Sequence, residues 1–401
     1  MKFMLCLLFT NLINTLEWNY NNNKSANQNS KVSSKDFMGY CNADYKFFGK
    51  PPNFHLEKLI VIFRHGDRAP IKNYYSDWEN KNCIKCNFTG EKINNCQKKK
   101  CEEGELTSKG YDQAQKLGGF IKKNYQKLLF PDNLHKEYIS YRVTKIGRTH
   151  STLMGVMNGL AKTKSIRHIR PLPYTDPLMK IKKCMYLEKQ MSLDFKISIK
   201  TFNLFYKLGI LNGKKLSYFS DELKCAMCNN ITINLKNKDD VFNKIIKISF
   251  DNWSKQMSNV IKNDMSKTIL FGRFGFELID ELQSESVLSL ISAHDGSIAM
   301  ILAALTSDIQ KWPPYASAIF IELWCKSTKK YVRLIYNDKK INFDGYAEEL
   351  IPLNVFLYYI YSLSLDDTEI SRMCQINTSS INNSNLLRNE DENDDYFFKL
   401  F

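Results

Sequence analysis

The 401-residue chain carries no Walker loop, no dinucleotide-type glycine pattern, no EF-hand string, no G-x-S-x-G elbow and no internal repeat. The sequence signals of P-loop, Rossmann, calcium-binding and α/β-hydrolase chemistry are therefore missing. It also lacks an apolar run of the roughly 20 residues that a comfortable membrane span needs. The N-terminal stretch Phe3 to Trp18 covers only 16 positions and includes Asn11 and Asn14. Helix-turn-helix, RNP and zinc-finger patterns are absent too. The excess of 57 Lys and Arg over 42 Asp and Glu, a formal charge of +15, thus does not point to nucleic acid. It leaves a solvated basic surface or an acidic partner of another kind, because net charge bears on association rather than on fold.

What is present suits a globular chain of one large domain with an insertion, or of two domains: 43% hydrophobic and 13% aromatic residues are enough for a real core. Met1-Lys2 followed by Phe3-Met-Leu-Cys-Leu-Leu-Phe-Thr10 reads as a secretory leader over 1–18, either cleaved or kept as a type II anchor; its length favours cleavage. An Asn/Ser-rich stem spans 19–36 and a polar, then acidic, tail spans 377–401. Apart from Cys6 in the leader there are ten cysteines: Cys41, Cys83, Cys86, Cys96, Cys101, Cys184, Cys225, Cys228, Cys325 and Cys374. An even number in a secretory chain reads as disulfides of undetermined pairing. A zinc reading of Cys83 to Cys101 and a redox reading of Cys225-x-x-Cys228 are weaker, because thiolate sites belong to reducing compartments and no thioredoxin-like context surrounds the pair. Sequons stand at Asn23, Asn87, Asn230, Asn252, Asn377 and Asn382.

Chemistry concentrates in two places far apart in the chain. Leu59-Ile-Val-Ile-Phe63 reads as a strand buried on both faces, and it breaks at once into Arg64-His-Gly-Asp-Arg-Ala-Pro70. Ligands of open α/β sheets bind beyond the carboxyl ends of strands. Two guanidiniums and an imidazole there would make an anion site, with Gly66 clearing room for a substrate. Val287 to Ser292 is a second apolar run, ending in Ala293-His294-Asp295-Gly296, and a helix follows in which Ile298, Ile301 and Leu302 share a face. Between them, Tyr138 to Thr144 reads as a strand and Arg148 opens a helix, where guanidinium and backbone N–H groups can face one anion. Thr107 caps an earlier helix. Ile71 to Cys101 has little periodicity and reads as a cysteine-stapled loop. Leu187 to Tyr206 and Val241 to Ile261 read as amphipathic helices, and Ala316 to Trp324 with Tyr331 to Tyr336 as an antiparallel pair at the sheet edge.

R-H-G-D-R-A-P at Arg64 to Pro70, Arg148-Thr149 within V-T-K-I-G-R-T-H-S-T, and Ser292-Ala-His-Asp295 together resemble the histidine acid phosphatases, the two-domain branch of the phosphohistidine superfamily. Within that family the chain is most similar to the Golgi 2-phosphoxylose phosphatases. Cys101-Glu-Glu-Gly-Glu-Leu-Thr107, Cys225-Ala-Met-Cys228, Phe320-Ile-Glu-Leu-Trp324 and Val332-Arg-Leu-Ile-Tyr-Asn337 carry this narrower likeness. The resemblance implies an α/β fold: a mixed, mostly parallel sheet flanked by helices, phosphoglycerate-mutase-like. It comprises 37–170 and 268–376, with a mostly helical cap domain inserted at 171–267.

The resemblance also implies roles. His65 would be the nucleophile and Asp295 the proton donor to the leaving alcohol; Arg64, Arg68, Arg148 and a cationic His294 would hold the phosphate, with no metal and no cofactor. Gly147 departs from the acidic residue that many acid phosphatases place before this arginine. Asp67 is expected to orient the arginines rather than to react, and Asp67-Arg-Ala-Pro70 argues against a mutase. His55, His135, His150 and His168 read as surface or satisfied core histidines. The expected reaction is phosphomonoester hydrolysis through a phosphohistidine. The expected substrate is a phosphorylated sugar, 2-phosphoxylose of a glycosaminoglycan–protein linkage in a proteoglycan, in the Golgi lumen or after secretion. Alternatives are a broad secreted or lysosomal acid phosphatase, an inositol or lipid phosphatase, or an anionic-glycan-binding protein that keeps the fold. A homodimer is open, and so is membrane attachment through a retained leader.

Overall fold

Leu59, Val61 and Phe63 point to one side of their strand and Ile60 and Ile62 to the other. All five are fully buried, so this strand must lie inside a sheet covered on both faces. The computed structural model describes residues 39–375 except 79, 133, 172–175, 180–183, 192–205, 207–212, 234–237, 309–310 and 345. The expected leader, stem and tail, and most of the helix expected over Leu187 to Tyr206, lie outside the described residues.

In chain order the strands are β1 (His55–Arg64), β2 (Asn82–Phe88), β3 (Lys92–Lys100), β4 (Ile139–Val143), β5 (Ile166–Arg167), β6 (Leu288–Ala293), β7 (Ala318–Lys326), β8 (Lys329–Tyr336), β9 (Lys339–Lys340) and β10 (Ile351–Pro352). The helices are α1 (Ser108–Leu129), α2 (Gly147–Ala161), α3 (Met185–Met191), α4 (Gly213–Cys228), α5 (Lys238–Ile261), α6 (Asp264–Gln283), α7 (Asp295–Leu305), α8 (Leu353–Leu363) and α9 (Asp367–Gln375). The main sheet has the order β10-β8-β7-β1-β6-β4, with β9 beside β8. β1, β6 and β4 are parallel neighbours, while β7 is antiparallel to β1 and β8 to β7. The sheet is therefore mixed, and β1, β4, β6 and β8 run the same way.

The two faces of β1 seed two cores. Leu59, Val61 and Phe63 join Ala114, Leu117 and Ile121 of α1 and Leu153, Val156 and Leu160 of α2. Ile60 and Ile62 join Phe271, Phe274 and Leu278 of α6, Ile298 and Ile301 of α7, and Phe356 and Ile360 of α8. Each such side chain contributes about 2 kcal/mol by leaving water.

The structure departs from the sequence reading in several places. Ile71 to Cys101 contains the antiparallel hairpin β2–β3, held by the cross-strand bridges Cys83–Cys101 and Cys86–Cys96. Its Lys/Asn-rich composition hid strands that the disulfides stabilise. β7 is not an edge strand: it lies between β1 and β8, because Ala318–Cys325 is buried throughout and needs cover on both faces. α7 is buried on every side from Gly296 to Leu305, since it packs against β1, α5 and α6. Eight cysteines form Cys41–Cys228, Cys83–Cys101, Cys86–Cys96 and Cys184–Cys374, but Cys225 and Cys325 are buried thiols. Gly66 serves packing rather than substrate access: a Cβ there would meet the Gly110 carbonyl oxygen at 2.2 Å, and one on Gly110 would meet Asp67 O at 2.1 Å.

Thr107 caps α1 as expected, its side chain accepting from Gly110 N, and α5 covers the expected helix Val241 to Ile261. Four sulfur bridges fit an oxidising compartment. Among the described residues no helix is long and apolar enough to cross a membrane.

Replacement of Gly110 by Ala should lower stability by about 2 kcal/mol, because backbone rather than a yielding side chain fills the space. Chemical denaturation would read this as a lower midpoint at unchanged slope. An unchanged midpoint would mean the loop is not held this tightly against α1.

Candidate active site

β1 and β6 are in parallel register with Arg64 opposite Ala293, so the next residue of each strand, His65 and His294, emerges side by side. Their ring centroids are 5.6 Å apart. β4 flanks β6, pairing Val143 with Ser292. The following Thr144 places its hydroxyl 2.8 Å from His294 Nε2. α2 and α7 start at this same edge, carrying Arg148 and Asp295, so two helix N-termini favour negative charge there. His65, Arg68, Arg148, His294 and Asp295 line one cavity. The register that brings them together joins residues more than 200 positions apart.

His65 is 2% exposed, and its Nδ1 is 2.8 Å from its own neighbour's carbonyl, Gly66 O. A carbonyl only accepts, so Nδ1 carries the proton and Nε2 keeps its lone pair. Burial, then the positive fields of Arg148, Arg64 and Arg68, hold His65 well below the usual imidazole range. It is a neutral imidazole with its tautomer set by the backbone. His294 is lowered for the same reasons, burial first and Arg148 next. The expected cationic His294 is therefore neutral while the cavity holds no anion.

The three arginines stand differently. Arg68 and Arg148 line the cavity, while Arg64 lies behind it, fully buried. Arg64 donates from Nη1 to Pro313 O at 2.6 Å, and from Nη2 to the Tyr40 hydroxyl and Asp295 Oδ2, both at 3.0 Å. Its Cζ is 4.2 Å from the Tyr315 ring centroid. Arg68 forms a bidentate pair with Asp221 at 2.8 and 3.0 Å. Nε of Arg64 and Nε of Arg68 are buried with no acceptor among the described residues, an arrangement that an arriving oxyanion relieves. Arg148 reaches back to Gly104 O at 3.4 Å.

Asp295 accepts from Arg64 and, on Oδ2, from Trp312 Nε1 at 3.1 Å. Burial alone would raise it, but Arg64, the Trp312 hydrogen bond and Arg68 hold it down to about 2. It is ionised until a substrate dianion offsets the arginine field.

Asp67 does not orient the arginines. Its carboxylate accepts from Thr107 Oγ1 at 2.6 Å and from Asn229 Nδ2 at 2.8 and 3.1 Å. Asp221, which the sequence reading missed, fills that role for Arg68. α4 grips the whole segment after β1: Asp221 also accepts from Ile71 N, and Glu222 from the backbone of Tyr74, Tyr75 and Ser76. Cys41–Cys228 ties the end of the same helix. Tyr40, Trp312 and Tyr315 were likewise missed, since single aromatics carry no motif. Asp221 could be sought only by asking which carboxylates balance three buried guanidiniums. His150 is a satisfied core residue, bonded to Thr144 O and packed on Phe88, and His55, His135 and His168 are exposed. Asn87 and Asn230 are exposed as sequons should be, whereas Asn252 lines the cavity, where a glycan has no room. Among the described residues no three His, Cys, Asp or Glu side chains gather as a metal site.

His65, His294 and His150 are all depressed by burial, His150 to about 4. The unfolded chain then binds more protons than the folded one once pH drops through about 6.5. Stability should therefore be full near neutrality and decline on acidification, and inorganic phosphate should offset part of the loss by binding the folded form. A melting temperature rising steadily from pH 7.5 to 5 without phosphate would contradict neutral imidazoles.

Comparison with known proteins agrees with this geometry. The profile of the Histidine phosphatase superfamily (branch 2) matches residues 55–269 and 254–337. Human prostatic acid phosphatase is 25% identical over 321 residues, covering 71% of this chain and 78% of that protein. Human 2-phosphoxylose phosphatase 1 is 21% identical over 373 residues, covering 76% of each. The apo form of Hafnia alvei phytase superposes with a TM-score of 0.51 at 17% identity, over 82% of this chain and all of that one, a likeness of fold. The chain belongs to branch 2 of the histidine phosphatase superfamily, and it is a phosphomonoester hydrolase of the histidine acid phosphatase type.

Proposed function

We propose that His65 Nε2 attacks the phosphorus of a bound phosphomonoester while Asp295 protonates the ester oxygen as the P–O bond breaks. The imidazole Nε2 then carries the phosphoryl group. Water attacks that phosphorus, the Asp295 carboxylate takes the water proton, and cleavage of the N–P bond releases inorganic phosphate and restores His65. Arg68 and Arg148, with Arg64 Nε and His294, donate to the non-bridging oxygens. Preorganised donors of this kind carry most of the catalysis in phosphoryl transfer. The observation that supports these roles best is the pairing of His65 Nδ1 with Gly66 O beside His294, in a cavity also lined by Arg68, Arg148 and Asp295.

The helices between 171 and 267 are read as a cap whose α4 and α5 wall the cleft. For the substrate we favour a phosphorylated sugar, 2-phosphoxylose in the glycosaminoglycan linkage region, acted on in the Golgi lumen. The formal charge of +15, the hydroxyl and amide groups of Ser217, Ser220, Ser249, Asn252 and Gln256 in the cavity lining and the relation to 2-phosphoxylose phosphatase 1 support this. The relation to prostatic acid phosphatase supports a broader reading, an acid phosphatase with little preference for its alcohol. Turnover on a phosphoxylose oligosaccharide at least tenfold above that on aryl phosphates is expected for the sugar reading, and equal rates would favour the broader one.

Replacing His65 by Ala should abolish turnover, by on the order of 1,000-fold or more. Replacing Asp295 by Asn should cost roughly 100-fold or more on an alkyl phosphate and much less on p-nitrophenyl phosphate, whose leaving group needs no proton. Rapid quenching of Asp295→Asn with p-nitrophenyl phosphate should leave acid-labile phosphate on His65, found by peptide mapping. Equal losses on both substrates would remove Asp295 from the proton-donor role.

A further inference from the structure

Opposite the strand-end donors, the cavity is walled by α4 and α5. Ser217, Ser220 and Lys224 face it from α4, and Ser249, Asn252 and Gln256 from α5. Ser220 Oγ and Asn252 Nδ2 are buried without a hydrogen-bond partner among the described residues. Such groups cost free energy unless a ligand completes them. Leu216 of α4 and Ile245, Ile248 and Trp253 of α5 line the same wall, so it offers polar groups set among apolar ones.

Lys224 is the distinctive member. It is 3% exposed, its Nζ lies 3.6 Å from the Trp312 ring centroid, and its hydrogen bond is a long one to Ser249 Oγ at 3.5 Å. Trp312 stacks in turn on Trp253, at 5.8 Å and 20°, so the face that holds the ammonium is itself fixed. Arg64 has Asp295 and Arg68 has Asp221, but Lys224 has no carboxylate within ion-pair distance among the described residues. Asp221, one turn earlier on α4, is occupied by Arg68 and Ile71 N. An ammonium has three donors; the fields of Asp221 and Asp295 reach Lys224, but neither carboxylate is bonded to it, so the buried cation is incompletely satisfied. Burial brings it down to about 8, which leaves it cationic at neutral pH and below.

We propose that Lys224 determines specificity by binding a second anionic group, a carboxylate or a phosphate, on the alcohol portion of the phosphomonoester held at His65. The inference rests on the phosphomonoester reading and narrows it to substrates with two separated negative centres, with Ser220 and Asn252 donating to or accepting from the hydroxyls between them.

The test uses matched pairs: 3-phosphoglycerate against glycerol 3-phosphate, and the longer fructose 1,6-bisphosphate against fructose 6-phosphate. Wild-type protein should show a KM about tenfold lower for the doubly anionic member of at least one pair, as a charged hydrogen bond warrants. The ratio should fall to about one in Lys224→Met and persist in Lys224→Arg. Taking the ratio within each variant cancels any general loss of activity. Titration of the same compounds into His65→Ala and His65→Ala/Lys224→Met, followed by calorimetry, gives the same comparison without turnover. No preference in wild type, or one that survives Lys224→Met, overturns the subsite whether or not the enzyme is active. A Lys224-dependent preference in binding, with no hydrolysis of any compound, keeps the subsite and removes the phosphatase reading.

Discussion

The fold is organised around an electrostatic cost: several cationic groups are buried at one sheet edge where each repels the others. Arg64, Arg68 and Arg148 all depress His65 and His294. The cluster is tolerable because Asp295 faces Arg64 and Asp221 faces Arg68 in two charge-assisted pairs. Neither carboxylate comes from the segment Arg64 to Arg68 that carries the two paired arginines. The helical segment after β5 is thus electrostatically required by the catalytic loop, and α4 is as much a part of the site as β1.

The same constraint explains why the site is chemically asymmetric. One histidine has its Nδ1 on a backbone carbonyl and the other its Nε2 on a threonine hydroxyl. The carboxylate of Asp295 is held between a guanidinium and an indole. An entering dianion changes every one of these balances at once: it neutralises the arginine field, raises the proton affinity of Asp295 and of His294, and satisfies the open guanidinium nitrogens. In the proposed mechanism, substrate charge thereby prepares Asp295 to act as the proton donor.

Much of the site was legible because its residues sit where local patterns change. Arg64 to Arg68 follow an apolar run, His294 and Asp295 follow another, and Arg148 stands at a helix start; each signal is local and needs no partner. The motif Phe320 to Trp324 is legible too, but its meaning is structural. Glu322 is fully buried, accepting from Tyr125 Oη, Trp324 Nε1 and its cross-strand partner Arg333. Such a satisfied network marks kinship without touching the cavity. The hairpin β2–β3 was hidden because lysine and asparagine say nothing of strands, and the interior place of β7 because pairing order is not a local property.

Sequence alone determined which strand ends carry imidazole, guanidinium and carboxylate, since a switch from apolar to charged residues at a strand end is written in consecutive positions. Tertiary structure decided the partnerships: Asp221 with Arg68, Asn229 with Asp67, Trp312 with both Asp295 and Lys224, and thiols rather than a bridge at Cys225 and Cys325. These are settled by desolvation, because a buried charge takes whichever counter-group the packing brings within reach, and chain distance has no part in that choice.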